Sequence, residues 1–209
     1  MTEILEKPPI RSPDELRQEY GPINPLAEGK VFDRLDGFCR DFIALSPFLV
    51  LASSSASGRA DASPRGDAPG FVAVIDDRTL LIPDRLGNKR VDSFANLLEA
   101  PGVGLIFLVP GIAETLRVNG RAEITRDAGL LAPLEAGGKV PTVGLLVHVE
   151  ETFFHCGKAL IRSKLWDASR QVERSSFPTL GRIIAEQTRA ITVEAAEKTM
   201  EEGYRTRLY

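Results

Sequence analysis

Two adjacent cations, Lys89 and Arg90, follow a glycine-containing loop near the middle of the chain. They lie directly before a segment with helical periodicity, and a helix N-terminus presents unpaired backbone N–H groups and a partial positive charge. Cations at that position oppose the helix dipole unless an anion offsets them. The pattern therefore favours a phosphate-binding loop. A solvated basic turn, partly neutralised by Asp84 and Asp92, is the alternative that these residues leave open.

A third cation, Arg65, lies in the short run Ser63-Pro64-Arg65-Gly66-Asp67. A guanidinium group can bind a phosphate through two parallel hydrogen bonds, which a lysine cannot match. Because proline and glycine flank the arginine, a turn is the alternative, and it is the interpretation that this segment alone favours. An adhesion role for the Arg-Gly-Asp triplet would need an extracellular display that nothing in the sequence supports.

Residues 153–167 form the other dense cluster, with an imidazole, a thiol, several cations and the single tryptophan, Trp166. His148, His155 and Cys156 are too few and too poorly spaced for a metal site, so we expect none. The sequence also lacks the phosphate-binding P-loop, the dinucleotide-binding G-x-G-x-x-G after a strand, and the hydrolase G-x-S-x-G. These absences argue against phosphoryl transfer, Rossmann-type nicotinamide binding and α/β-hydrolase chemistry.

Hydrophobic periodicity places these motifs in a mainly β domain. Short apolar or alternating runs predict six or more strands at hairpin spacing, with few helices between them. The runs cover residues 48–53, 70–75, 79–83, 103–109, 116–124 and 143–156. We expect an antiparallel sheet that closes or nearly closes into a barrel, with helices at its flanks.

Helical patterns flank or interrupt these strands. Ser12 is predicted to be the N-cap of a short helix, with Glu15 completing a capping box. The other helical segments are predicted at residues 32–43, at residues 91–98 with Val91, Phe94, Ala95 and Leu98 as the apolar face, and at residues 179–209 with Thr192 as a cap. We expect one domain at residues 32–167, with helical extensions at residues 1–31 and 168–209.

Composition sets the broad class of the protein. The chain has 209 residues, 43% of them hydrophobic, and a net charge of −3, which is typical of a folded domain and argues against nucleic-acid binding. Residues 1–7 lack the pattern of an export signal, and no apolar run approaches the length of a membrane span. With only Cys39 and Cys156 and no zinc spacing, we expect a cytoplasmic protein in a reducing environment.

Four segments resemble a branch of the pyridoxamine 5'-phosphate oxidase-like, FMN-binding split-barrel proteins. They are Asp61–Asp67, Leu81–Arg90, Phe107–Gly111 and Glu114–Ala122, and their order and spacing match over residues 32–167. The resemblance implies a six-stranded antiparallel split β-barrel that binds FMN at the interface of a homodimer. The true oxidase usually has a Tyr-Thr pair where this chain has Ile82-Pro83, and a glutamine at Thr115. These departures weaken the case for pyridoxamine phosphate as the substrate.

The resemblance also implies roles for individual residues. Arg65, Lys89 and Arg90 would hold the FMN phosphate. Ile82 and Pro83 would present backbone beside the flavin, and Thr115 would lie near the pyrimidine end of the ring. By looser analogy Arg162 and Trp166 lie near the flavin, with core packing as the alternative for Trp166. The complete set of implied FMN-binding residues is Ser63, Pro64, Arg65, Asp67, Ile82, Pro83, Asn88, Lys89, Arg90, Thr115, Arg162 and Trp166.

These observations lead to a functional hypothesis. We expect an FMN-dependent oxidoreductase that exchanges a hydride between the flavin N5 and an unknown small organic substrate. No residue of the sequence stands out as a dedicated catalytic acid or base. A flavin-binding carrier or sensor without turnover is the alternative, and the same barrel with a deazaflavin or a haem is another.

Overall fold

A computed structural model describes residues 9–209 of the chain, so the expectation about an export signal at residues 1–7 lies outside the described residues. The chain divides into two compact units, Met1–Val31 and Phe32–Tyr209. The first unit contains helices α1 (Pro13–Tyr20) and α2 (Pro25–Glu28). Ser12 caps α1 as predicted, by accepting a hydrogen bond from the Glu15 N–H. The capping box is incomplete, because the Glu15 carboxylate accepts from the Arg11 N–H instead of the Ser12 N–H.

The second unit is built on one antiparallel sheet in the order β2-β1-β5-β6-β7-β4-β3. The strands are β1 (Phe48–Ser54), β2 (Ala60–Gly66), β3 (Ala73–Val74), β4 (Thr79–Pro83), β5 (Gly102–Leu108), β6 (Thr115–Thr125) and β7 (Gly144–His155). The expected mainly β class with flanking helices is confirmed. The expected closed, six-stranded form is wrong, because among the described residues the ladder is open, with seven strands and with β2 and β3 at its edges.

The extra strand is β2, in the segment whose Pro64 and Gly66 favoured a turn. It pairs with β1 along its whole length, with Arg65 opposite Leu49 and Pro64 opposite Val50. A proline has no N–H to donate to a neighbouring strand, so it is rare in central strands. An edge strand tolerates it, because one side of that strand has no partner strand. The interpretation of this segment as a turn is therefore wrong.

Two other strand predictions are confirmed with changed lengths. The predicted hairpin forms between β3 and β4, although β3 has only two residues. The run that begins at Gly70 starts late because Gly70 has a φ of +80° and donates to the Ser46 carbonyl. The long strand predicted across residues 143–156 is β7, and its register against β6 shifts by a bulge between Asn119 and Gly120.

Helices cover the sheet and continue beyond it. They are α3 (Gly37–Leu45), α4 (Asp92–Glu99), α5 (Ala128–Leu131), α6 (Lys158–Ser163), α7 (Leu180–Thr188) and α8 (Val193–Thr206). Helix α3 begins at its Asp36 cap and not at Phe32, which forms a bridge to Thr152. Thr192 caps α8, as predicted.

The predicted apolar face of α4 is partly wrong. Phe94 is buried as expected, but Val91 is 58% exposed, Leu98 is 77% exposed and Ala95 is also exposed. Leu97 and two polar residues, Ser93 and Asn96, are buried in their place. The polar pair can be buried because each side chain has a partner: Ser93 donates to Asp61 at 2.7 Å, and Asn96 donates to Ser53 at 3.2 Å.

The hydrophobic core joins one face of the sheet to α3 and α4. Its largest fully buried side chains include Leu49, Leu51, Leu105 and Phe107, which alternate along β1 and β5. Among the described residues, no helix has the length and apolar character needed to cross a membrane.

Candidate functional site

The outer strand β2 presents a polar row. Asp61, Ser63 and Arg65 occupy alternate positions, and all three are less exposed than the residues between them. Because side chains alternate across a strand, these three lie on one face. Their spacing of two residues is visible in the sequence, and it would have revealed the strand that Pro64 and Gly66 obscured.

This row lines a cavity of about 610 Å³. Most of the other lining residues belong to the loop from β4 to α4 and to the first turn of α4. The cavity is within the size range of small-molecule sites. Its lining residues are Asp61, Ala62, Ser63, Pro64, Arg65, Gly66, Phe71, Pro83, Asp84, Arg85, Leu86, Gly87, Asn88, Lys89, Arg90, Val91, Asp92, Ser93 and Phe94.

Arg65 is held rigidly at the cavity but is not fully satisfied. Its Nη1 donates to Asp84 Oδ1 at 2.9 Å, and its guanidinium carbon lies 5.5 Å from the centroid of the Phe94 ring. Its side chain is only 18% exposed. The Nε is buried and has no hydrogen-bond partner among the described residues. Leaving a buried N–H unpaired is costly, so this position favours an additional acceptor.

The cationic loop has an unusual backbone. Lys89 and Val91 have φ values of +60° and +51°. Residues other than glycine rarely adopt this backbone region, and residues with a branched β-carbon such as valine adopt it least. Val91 precedes α4 without providing a side-chain cap, so the N–H groups of the first helical turn have no capping acceptor on that residue. The first residues of α4 and the adjacent cations therefore line the same cavity.

The two cations of the loop differ in their partners. The Arg90 Nε donates to Asp92 Oδ2 at 2.7 Å, and this hydrogen bond raises the pKa of Arg90 above its ordinary value. Among the described residues, Lys89 has no ion pair. The alternative of a basic turn neutralised by nearby carboxylates therefore holds for Arg90, which pairs with Asp92. It does not hold for Asp84, which pairs with Arg65 and not with the loop cations.

A second ion pair lies beside the first with its charges reversed. The Arg85 Nε donates to Asp67 Oδ2 at 2.6 Å. The Arg65–Asp84 and Asp67–Arg85 pairs together tie the end of β2 to the end of β4, which the sheet order places far apart. Arg65 and Asp67 are among the residues predicted from the sequence, whereas their partners Asp84 and Arg85 are not. The available signal was that each of the two segments carries one arginine and one aspartate, Arg65 with Asp67 and Asp84 with Arg85.

A family model described as pyridoxamine 5'-phosphate oxidase matches residues 35–156, which is more than half of the chain. The chain belongs to this family. The matched range contains the β2 row, the cationic loop and the two ion pairs that join them. No curated protein matches the chain.

Several solved structures are similar to this member of the pyridoxamine 5'-phosphate oxidase family. HupZ from Group A Streptococcus is 20% identical, with a TM-score of 0.45, and the match covers 55% of this chain and 89% of that one. General Stress Protein 26 from Bacillus anthracis is 12% identical, with coverages of 55% and 92% and a TM-score of 0.42. An FMN-binding protein from Syntrophomonas wolfei is 12% identical, with coverages of 68% and 96% and a TM-score of 0.43.

The structure brings seven of the twelve predicted site residues to the cavity wall: Ser63, Pro64, Arg65, Pro83, Asn88, Lys89 and Arg90. Of the others, Asp67 already accepts hydrogen bonds at both carboxylate oxygens. Ile82 and Thr115 are buried, at 2% and 8% exposure, in β4 and at the start of β6. Their roles beside a flavin remain predictions.

Arg162 and Trp166 lie after the range that the family model matches. Arg162 is exposed on α6. The Trp166 indole N–H donates to the Ile112 carbonyl at 2.8 Å, and the side chain is 36% exposed. Trp166 is therefore not a core residue, and neither residue lines the cavity. Their proximity to a cofactor also remains a prediction.

The residues considered for metal binding are scattered. His148 lies 3.4 Å from Glu123, and Cys156 is exposed after the end of β7. Among the described residues, no three histidine, cysteine or carboxylate side chains cluster as a metal site would require.

Proposed function

We propose that this protein binds FMN, with the phosphate in the cavity between β2 and the loop that precedes α4. The observation that carries the proposal is Arg65, which lines the cavity and has a buried Nε without a partner among the described residues. A phosphate oxygen is the kind of acceptor that satisfies an arginine N–H at such a position. Lys89 and the uncapped first turn of α4, which also line the cavity, supply further positive charge.

The chain's own residues have separate tasks in this proposal. Arg65 binds and orients the phosphate, and Asp84 and Phe94 hold the guanidinium in place. Lys89 and Arg90 attract the dianion, while Pro83 marks where the backbone of β4 would approach the ring. Ile82, Thr115, Arg162 and Trp166 are proposed around the isoalloxazine ring.

We further propose that the protein is an FMN-dependent oxidoreductase with a small organic substrate. When bound, FMN supplies hydride transfer at its N5 atom, and the protein contributes orientation and hydrogen-bond donors. Membership of the pyridoxamine 5'-phosphate oxidase family supports this reaction class. The described residues that line the cavity include no histidine, cysteine or tyrosine.

A homodimer is part of the same proposal. Phe48 and Ile106 lie on the outer face of β1 and β5 and are 38% and 39% exposed. Val50 pairs with Ile106, and Phe48 pairs with Leu108, so these four side chains form one apolar patch. An exposed apolar patch of this kind favours cover by a second copy of the chain.

FMN titration of purified protein tests the binding site. We expect Lys89→Ala and Arg90→Ala to weaken FMN binding by about ten- to a hundredfold, because hydrogen bonds to charged groups are strong. Lys198→Ala, on the exposed surface of α8, is the matched control and should leave FMN affinity unchanged. Equal affinity of the wild type and both loop variants would contradict this placement of the phosphate.

Turnover separates the oxidoreductase from a carrier or sensor. The absence of an evident catalytic acid or base among the described residues of the cavity favours keeping the carrier as a second candidate. An oxidoreductase should have its bound FMN reduced by NADH or NADPH, and reoxidised by an acceptor, faster than free FMN. The mass of the chromophore released from the purified protein distinguishes FMN from a deazaflavin or a haem.

A further inference from the structure

Arg85 lines the candidate cavity but is held from outside it. Its Nε donates to Asp67 Oδ2 at 2.6 Å, and its Nη1 donates to the Leu134 carbonyl at 2.9 Å. The side chain is 19% exposed, and that of Asp67 is 3% exposed. Because Arg85 directly follows Asp84, these contacts also determine where Asp84 meets Arg65. The position of the cavity loop thus depends on Asp67.

Asp67 is in turn held by Tyr209, which lies 142 residues away in sequence. The Tyr209 hydroxyl donates to Asp67 Oδ1 at 2.7 Å, and its ring lies 6.0 Å from the guanidinium carbon of Arg85. Lys139 donates to the main-chain oxygen of Tyr209. The segment after α8 therefore contacts Asp67 and Arg85, the two members of the ion pair that holds the cavity loop.

The Tyr209 ring packs against a glycine, Gly137. Gly137 has a φ of +57°, and a Cβ at that position would lie 2.7 Å from the Tyr209 ring. Such a distance is far shorter than an ordinary van der Waals contact, so only glycine allows the ring to lie there. Burial raises the pKa of Asp67, but the hydrogen bonds from Tyr209, the Ala68 N–H and Arg85 outweigh it and lower the pKa overall. The carboxylate is thus kept charged by its three donors.

We propose that Tyr209 is a positioning residue for the phosphate end of the cavity, acting through Asp67 and Arg85. This inference rests on the proposed binding of FMN. Tyr209 does not line that cavity. Its hydroxyl orients the Asp67 carboxylate, Asp67 orients Arg85, and the adjacent Asp84 then presents Arg65 to the phosphate. Loss of the hydroxyl leaves the Ala68 N–H as the donor to Asp67 Oδ1 and loosens this chain of contacts.

A double-mutant cycle with FMN as the titrant tests this proposal. We expect Tyr209→Phe to weaken FMN binding about three- to tenfold, as for the loss of one ordinary hydrogen bond. Tyr204→Phe, whose ring is 63% exposed on α8, is the control and should bind as the wild type does. In an Asp67→Asn background, Tyr209→Phe should cause little further loss, because asparagine has already removed the ion pair with Arg85 through which the hydroxyl acts. If Asp67→Asn does not fold, Arg85→Gln takes its place in the cycle.

The possible outcomes separate the two proposals. If the wild type does not bind FMN, the proposed function is overturned, and this inference with it. Normal FMN binding by the wild type and equal binding by Tyr209→Phe overturns the inference alone. A loss caused by Tyr209→Phe that repeats in full in the Asp67→Asn background also overturns it, because a general structural effect would be additive.

Discussion

At the scale of single residues, the candidate site is defined by groups that the protein alone leaves unsatisfied or strained. Arg65 has a buried N–H without a partner among the described residues, and Val91 occupies a left-handed conformation despite its branched side chain. Such features are costly and persist only where the surrounding structure enforces them. Both lie on the wall of one cavity, which is why we place the phosphate there.

The strain at Val91 can be measured directly. We expect Val91→Asn to raise the free energy of unfolding by about 1 kcal/mol, because asparagine adopts positive φ more readily than valine. Urea denaturation of the apoprotein is the measurement. Val140→Asn serves as the control, since Val140 is 47% exposed and has no positive φ. A smaller stability for Val91→Asn than for the wild type would contradict the assignment of strain.

At the scale of elements, local sequence patterns and tertiary environment disagree in two informative places. Pro64 and Gly66 predict a turn, yet the pairing with β1 makes a strand because β2 is at the edge of the sheet. Apolar periodicity assigns Leu98 to the buried face of α4, yet hydrogen bonds to Asp61 and Ser53 bury Ser93 and Asn96 instead. In both places a distant partner outweighs the local preference.

The bulge between β6 and β7 gives an element-scale prediction. A Cβ added at Gly120 would lie 2.0 Å from the His148 carbonyl oxygen, so backbone would have to move. We expect Gly120→Ala to lower the free energy of unfolding by about 3 kcal/mol, at the upper end of the cost of overpacking. Gly102→Ala is the matched control, because nothing among the described residues lies within 4 Å of the added atom. Denaturant unfolding compares the two, and similar losses would argue against the close approach.

At the scale of the whole second unit, two ion pairs connect strands that the sheet order keeps apart. Arg65 with Asp84, and Asp67 with Arg85, connect β2 at one edge of the sheet to the end of β4 near the other edge. These four side chains are mostly buried, so their ion pairs are less screened than surface pairs. They hold the ends of β2 and β4 together at the cavity, although no backbone ladder among the described residues pairs these two strands.

Acid should weaken this connection. The pKa of Asp67 in the folded chain lies below its ordinary value, so its stabilising contribution is present at neutral pH and is lost as the pH falls through the folded pKa. We expect Asp67→Asn to lower the free energy of unfolding by about 2 kcal/mol at pH 7. The difference from the wild type should begin to shrink as the pH falls below about 4, the ordinary pKa of an unfolded aspartate, and should vanish once the pH is below the lowered pKa of the folded chain.

Urea unfolding of the wild type and Asp67→Asn at several pH values makes this comparison. Asp41→Asn, at an exposed position on α3, is the control and should differ little from the wild type at any pH. A difference between the wild type and Asp67→Asn that stays constant from pH 7 into the acid range would show that the Asp67 charge does not contribute.

Local chemistry in the sequence was enough to predict the mainly β class, the β3–β4 hairpin, the Ser12 and Thr192 caps, and the loop cations Lys89 and Arg90. These features depend on periodicity, cap residues and charge within a few neighbouring positions. The resemblance to the pyridoxamine 5'-phosphate oxidase family was likewise carried by short runs of residues, and the family match confirms it.

Only the tertiary structure revealed the partners that complete the site. Arg65 meets Asp84 across 19 residues, Arg85 meets Asp67 across 18, and Tyr209 meets Asp67 across 142. No local propensity specifies such contacts, because they arise when the sheet curves and brings the ends of β2 and β4 together. The open, seven-stranded order was decided in the same way, by the pairing of a proline-containing edge strand with β1.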